Sequence, residues 1–258
     1  MCEMQVCGFI GSTTERLCAR WATLGAFNPF YRNHATFRAP HQEFYLWPLV
    51  TEAAKYAIDI RYRLLDYIYT ALARQSADGT PTLIPLWHVY PQDEQTFPID
   101  LQFFYGDCIL VSPVTGDSTS VKIYLPNDLF YDFVTHKPVR GKGQWVELND
   151  VPYDRIPLYI RGGCAVPLRT ESAMTTTELR EKGFEILVAP GLDGKARGSL
   201  YVDDGETLDG GKLKLHLDFT FTEDEGLSTQ IVSPLSAAGV SLEQAGINIE
   251  KVTILGGG

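Results

Sequence analysis

The texture of the chain changes once, near Thr80, and that change limits what it can fold into. Before it, Val50, Ala53, Ala54, Ala57, Ile58, Leu64, Leu65, Ile68 and Leu72 recur at helical spacing. Pro48 suits a first helical position and Asp78-Gly79 ends the run, so the spacing predicts one helix from Pro48 to Ala77. After it, apolar runs become short, β-branched and aromatic, broken by Pro, Gly, Asn and Asp. Leu83–Leu86, Cys108–Pro113, Val121–Leu125, Phe130–Phe133, Trp145–Leu148, Leu158–Ile160 and Ala165–Leu168 read as strands of a β-sandwich. Glu171–Thr177 is polar and Thr-rich and reads as a linker. A second β set follows: Phe184–Val188, Ser199–Val202, Leu213–Phe221, Thr229–Val232 and Val252–Leu255. The expected organisation is a helical part over 1–78, a β-domain over 79–170 and another over 171–258.

Ser12-Thr13-Thr14-Glu15 has the form of a capping box, with Ser12 at the N-cap and Glu15 three residues on. The helix it opens runs to about Leu24, presents Leu17, Arg20, Trp21 and Leu24 on one face, and stops at Gly25. Ala26–Tyr31 reads as a short aromatic strand. Residues 1–78 are therefore expected to run strand–helix–strand–helix.

Net charge is −10 and the isoelectric point is near 5.0, which opposes binding to phosphate backbones and excludes nucleic acid as a partner. No apolar run is long enough to cross a bilayer, so no membrane partner is expected. Residues 1–5 lack the basic and apolar regions of a signal peptide, and no N-x-[ST] sequon occurs. The five cysteines, Cys2, Cys7, Cys18, Cys108 and Cys164, leave at least one thiol unpaired, and reduced thiols throughout are an open alternative. No CxxC pair occurs and histidine is scarce, so neither a metal nor any other cofactor is called for. Oligomeric state leaves no mark on the sequence.

Asp203-Asp204-Gly205-Glu206 lacks the alternating ligand spacing of a calcium loop and reads as a hairpin turn. Arg161-Gly162-Gly163 lacks the lysine and following helix of a phosphate loop and reads as a tight turn. Trp21, Phe27, Phe30, Tyr31, Phe37, Phe44, Tyr45 and Trp47 form an aromatic block whose commonest use is core, with Phe9 the best candidate to stack on a ligand. Arg32, Asn33 and His34 lie just past a strand end and could donate hydrogen bonds.

Residues 7–34 contain CGF, TTE, a Cys and RW, then PFYRNH. With QEFYLW, AIDIRYRLLDYIYT, DLQFFYGDCILVSPV, VKIYLP, RIPLYIRGGCAVPL and GSLYVDDGET downstream, this order resembles glycoside hydrolase family 31, the α-glucosidase family. The resemblance runs to about Glu206 and fades beyond Asp209. It implies an α+β chain: the last βα units of a (β/α)8 barrel followed by two β-sandwich domains. It further implies that His34 contacts sugar in the subsite where cleavage occurs, that Arg32 supports it, that Phe9 lines it, and that Cys7 pairs with Cys18. Gln5 departs from the family pattern, which has Asp there, and would leave a buried Arg32 without its carboxylate.

The family's nucleophile and acid/base lie in WxDMNE-like and HWxGDN-like contexts, both upstream of Cys7, and neither occurs here. The expected reading is the C-terminal part of a retaining α-glucosidase acting on α-linked glucose oligosaccharides, inactive alone. The competing readings are a non-catalytic carbohydrate-binding or interaction β-module, and an incomplete gene product.

Overall fold

A computed structural model describes residues 3–208, 214–232, 242 and 247–256. Strand β1 (Glu3–Val6), helix α1 (Glu15–Gly25) and strand β2 (Phe30–Asn33) form a βαβ unit in which β1 and β2 pair in parallel, Gln5 opposite Arg32. Helices α2 (Pro48–Arg63) and α3 (Leu65–Asp78) follow. The strand–helix–strand–helix order is present, but its details differ from those the sequence suggests.

Helix α1 starts later than the capping box implies. Thr14 is the N-cap, its hydroxyl accepting from the Leu17 amide at 3.2 Å. Glu15 instead reaches the next helix, where its carboxylate accepts from the Leu49 amide at 3.3 Å. The face α1 buries is Cys18, Ala19 and Ala22, packed on Val50, Ala53 and Ala54 of α2, because small side chains let the two helices approach closely; Leu17 is exposed. Helix α1 ends at Gly25, as the sequence predicts, but with no left-handed turn there. A Cβ there would lie 2.7 Å from both the Tyr31 ring and Val6, so glycine is required by packing. Strand β2 begins at Phe30 because Ala26–Asn28 turn back onto the end of α1.

The predicted single helix is two, divided at Leu64 (φ −90°, ψ 8°). The division falls where the partner changes: α2 packs on α1, and α3 packs on strands of the β part. Gly79, at φ 83°, closes α3 in the left-handed conformation.

The β part begins with β3 (Leu83–Pro85), the short helix α4 (Leu86–Val89), β4 (Phe103–Tyr105) and β5 (Ile109–Val111). Next come β6 (Val121–Leu125), β7 (Leu129–Asp132), β8 (Pro138–Arg140), β9 (Gln144–Leu148) and β10 (Leu158–Arg161). One sheet has the order β3-β4-β5-β10-β7-β8, and β6 pairs with β9 across one of its faces. Ile123, Tyr124 and Leu125 pack there on Phe104, Leu110 and Phe130. Strands β4 and β8 carry little sequence signal, β4 being three residues long and β8 a polar edge strand opening with Pro138.

β11 (Cys164–Arg169), α5 (Thr176–Arg180), β12 (Phe184–Ala189), β13 (Ala196–Val202), β14 (Leu215–Thr222), β15 (Gly226–Ile231) and β16 (Ile249–Ile254) complete the chain. They form a sheet of order β15-β14-β13-β11-β12-β16. Ala165–Leu168 thus belongs to this second sheet, where all of β11 is buried between neighbours. The predicted linker is structured: Thr175 caps α5, and Ser172 donates to Asp59 at 2.5 Å. Leu213, predicted as strand, lies outside the described residues.

One core joins all three parts. Ala57, Ile60, Leu64 and Tyr67 from the helices meet Ile109, Val111 and Ile160 from the first sheet and Val166, Leu187 and Ala189 from the second. A disulfide between Cys108 and Cys164, Cα atoms 5.9 Å apart, bridges the two sheets inside it. The other links Cys7 to Cys18 beside β1. The Cys108–Cys164 bridge closes a loop of sequence separation 56, a length at which cross-linking contributes about 2–4 kcal/mol. A Cys164→Ala variant of the oxidised chain is expected to lose that much in denaturant-induced unfolding; an unchanged midpoint would show the bridge to be idle.

Candidate functional site

In a βα-barrel, ligand-binding side chains stand at the carboxyl ends of the strands. At those ends of β1 and β2 the chain makes two turns. The first follows Val6 through Cys7 (φ 70°) and Gly8 (φ 94°), with the Gly8 amide donating to Gln5 O at 2.8 Å, and delivers Phe9. The second leaves Asn33 directly into His34. The two turns are tied by the Thr36 amide, which donates to Phe9 O at 3.0 Å.

Phe9 and His34 are brought together: their ring centroids are 5.7 Å apart at an interplanar angle of 37°, and both rings face solvent. Arg32 is placed differently from the sequence expectation. It is exposed, not buried, because it shares the outward side of β2 with Phe30, over whose ring its guanidinium lies 5.4 Å from the centroid. In that position the replacement of Asp by Gln5 strands no buried cation. Asn33 does not face the open end either. Its amide donates to Gln42 O at 2.8 Å.

Gln42 belongs to the polar insert His41–Glu43, whose Gln-Glu pair reads from the sequence as structural, and the structure shows what it holds. Its side chain is buried, and its amide nitrogen donates to Val6 O (3.3 Å), Gly8 O (2.9 Å) and Asn33 Oδ1 (3.0 Å). One side chain therefore holds both turns, and with them the spacing of Phe9 and His34. The particular partners of Gln42, unlike its structural use, leave no pattern in the sequence.

Beneath the turns, the Tyr31 hydroxyl donates to Ala22 O at 3.0 Å, and burial pushes its pKa well above the ordinary tyrosine value, partly offset by Arg61. Two nearby carboxylates are engaged elsewhere: Glu15 at the start of α2, and Glu43 with the His41 imidazole at 3.4 Å. No cluster of His, Cys, Asp and Glu suited to a metal occurs among the described residues. In the segment that leaves β13, Asp204 accepts from the Glu206 and Thr207 amides, each at 3.0 Å, and Asp203 from the Tyr69 hydroxyl of α3 at 2.9 Å.

Parallel βα units with an imidazole and an aromatic ring at their carboxyl ends, backed by β-sheets, have the arrangement of the last units of a barrel enzyme with appended β-domains. Residues 1–71 match the family profile described as "Glycosyl hydrolases family 31 TIM-barrel domain", and residues 79–166 match "Glycosyl hydrolase family 31 C-terminal domain". The chain belongs to glycosyl hydrolase family 31. It is 58% identical over 222 residues to a "Probable alpha/beta-glucosidase" of Aspergillus flavus, covering 86% of this chain and 25% of that protein. Against an "Alpha-glucosidase" of Schizosaccharomyces pombe it is 40% identical, covering 99% of this chain and 26% of the relative. The crystal structure of a glucosidase II alpha subunit, in its Glc1Man2-bound form, superposes with a TM-score of 0.90 at 34% identity, over 98% of this chain and 28% of that one. The chain thus spans about a quarter of the length of the curated relatives it matches.

Proposed function

We propose that these residues supply one wall of the sugar pocket of a family 31 α-glucosidase and neither of its reacting carboxylates. The observation that carries this reading is the pairing of Phe9 with His34 at the open strand ends. An aromatic face packs against the C–H face of a pyranose, and an imidazole beside it exchanges hydrogen bonds with the hydroxyls. Arg32, turned outward on β2 over Phe30, takes no part in this wall by this reading. The Cys7–Cys18 bridge and Gln42 hold the Phe9 turn in place, so the pocket wall is preorganised. The substrate by this reading is an α-linked glucose oligosaccharide.

Retaining hydrolysis needs a carboxylate nucleophile and a carboxylic acid about 5 Å apart. Glu15 and Glu43 are held by the Leu49 amide and by His41, and neither stands in a context like that of the family's reacting groups. The chemistry is therefore completed only by barrel units bearing those groups. The test is a polypeptide in which the upstream part of a full-length relative is joined to these residues. There His34→Ala is expected to lower kcat/KM by about 100-fold, the usual effect of removing one hydrogen-bond donor that acts on the transition state. Phe9→Ala is expected to raise KM. Unchanged kinetics in both variants would remove the pair from the pocket.

A further inference from the structure

Away from the barrel units, an open groove runs between the segment after α4 and the β6–β9 pair. Tyr90, Gln92, Asp93, Gln95, Asn127 and Gly143 line it. Trp145 lies beside the groove, its ring against that of the lining residue Tyr124. It lies directly across from Tyr124 in the β6–β9 register, two residues from Gly143, and its indole is about half exposed. Its ring meets that of Tyr124 in an edge contact, centroids 5.5 Å apart at 64°, that leaves about half of the residue open to solvent.

The polar groups beside it are preorganised. Asp93 accepts from the Tyr124 hydroxyl at 2.7 Å and from the Gln95 amide at 3.2 Å, and Tyr90 donates to Asp128 at 2.9 Å. The Asn127 carbonyl is occupied by Arg140 at 2.7 Å, leaving its NH2 to donate outward. The side-chain amides of Gln92 and Gln95 make no hydrogen bond to any described residue. Gly143, at φ 66°, takes the left-handed conformation that favours glycine, and a Cβ there would make only ordinary contact with the Tyr124 hydroxyl, at 3.4 Å.

A half-exposed indole flanked by uncommitted amides and one carboxylate suits a ligand with an apolar face and neutral hydroxyls at its edge. Asp93 and the net charge of −10 oppose a phosphate or another anion. We infer that this groove is a second carbohydrate site, taking one neutral hexopyranose unit on Trp145 and hydrogen-bonding its hydroxyls through Gln92, Gln95, Asn127 and Asp93. It shares no residue with the Phe9–His34 wall and does not depend on that reading.

The test is two-dimensional amide NMR of the 258-residue chain titrated with maltotriose, with glucose 6-phosphate as the anionic control. Saturable shifts are expected at residues 90–95, 127 and 143–145, and far smaller ones with the phosphate. Trp145→Ala is expected to weaken the maltotriose titration about tenfold, the scale of one aromatic contact. Gln92→Ala, at an exposed side chain whose loss spares the fold, is expected to weaken it less. His34→Ala is expected to leave these shifts in place. Absence of saturable shifts at the groove, or shifts unmoved by Trp145→Ala, overturns the proposal. Shifts confined to residues 8–10 and 33–36 would support the pocket wall and still overturn the second site.

Discussion

Incubated with a chromogenic α-glucoside at acidic or neutral pH, the purified 258-residue chain is expected to release no chromophore above background. Retaining hydrolysis splits one difficult displacement into two, and both steps pass through the carboxylate pair. His34 and Phe9 can hold a hydroxyl or a ring face, but neither supplies the nucleophile that forms the glycosyl-enzyme or the acid that protonates the leaving oxygen. Loss of one reacting group commonly removes several orders of magnitude in rate, and these residues hold neither family context. Glu15, six residues after Phe9, is engaged at a helix start. Turnover well above background that disappears in His34→Ala would place reacting groups within these residues and refute the division of labour proposed above.

The second large effect is expected on stability, at Asp66. Arg169 on β11 is buried, and its guanidinium meets the Asp66 carboxylate of α3 with two contacts, 2.7 and 2.9 Å. It also donates to Lys182 O at 2.5 Å and lies 3.9 Å from the Phe184 ring centroid. One side chain thus fastens α3, the second sheet and the segment after α5. Asp66→Ala would leave the cation buried without its counter-charge, which costs about 3–5 kcal/mol. For a chain of this length that lowers Tm by about 10 °C. Arg169→Met removes the charge and keeps most of the volume, so it is expected to cost less, and in the Asp66→Ala background to recover part of the loss. Additive effects of the two changes in thermal unfolding would contradict this description of the pair.

The fold was legible where the signal is periodic. The stripe from Val50 to Leu72 announced helix, and the short β-branched runs announced strands. It was not legible where packing decides. Nothing local separates α2 from α3; the division at Leu64 reflects a change of partner from α1 to the sheets. Gly25 reads as a stop and α1 does end there, but the close approach of Tyr31 and Val6 that requires glycine is a matter of packing. Ala165–Leu168 follows the first β set in sequence and pairs in the second sheet, because pairing is chosen between Cys164 and Ala189 rather than along the chain. The Cys108–Cys164 bridge needs two distant strands to meet, which no spacing encodes. At the site, PFYRNH pointed to His34 and Arg32 through family resemblance, while the outward turn of Arg32 and the clamp made by Gln42 depend on loop geometry.

The most direct measurement is hydrolysis by a joined polypeptide: the upstream part of an active family 31 relative followed by these 258 residues, with the upstream nucleophile intact or replaced by alanine. The expected result is turnover in the intact form, reduced about 100-fold by His34→Ala and abolished by loss of the upstream nucleophile. Turnover that survives loss of that nucleophile would contradict the assignment of these residues to the pocket wall alone.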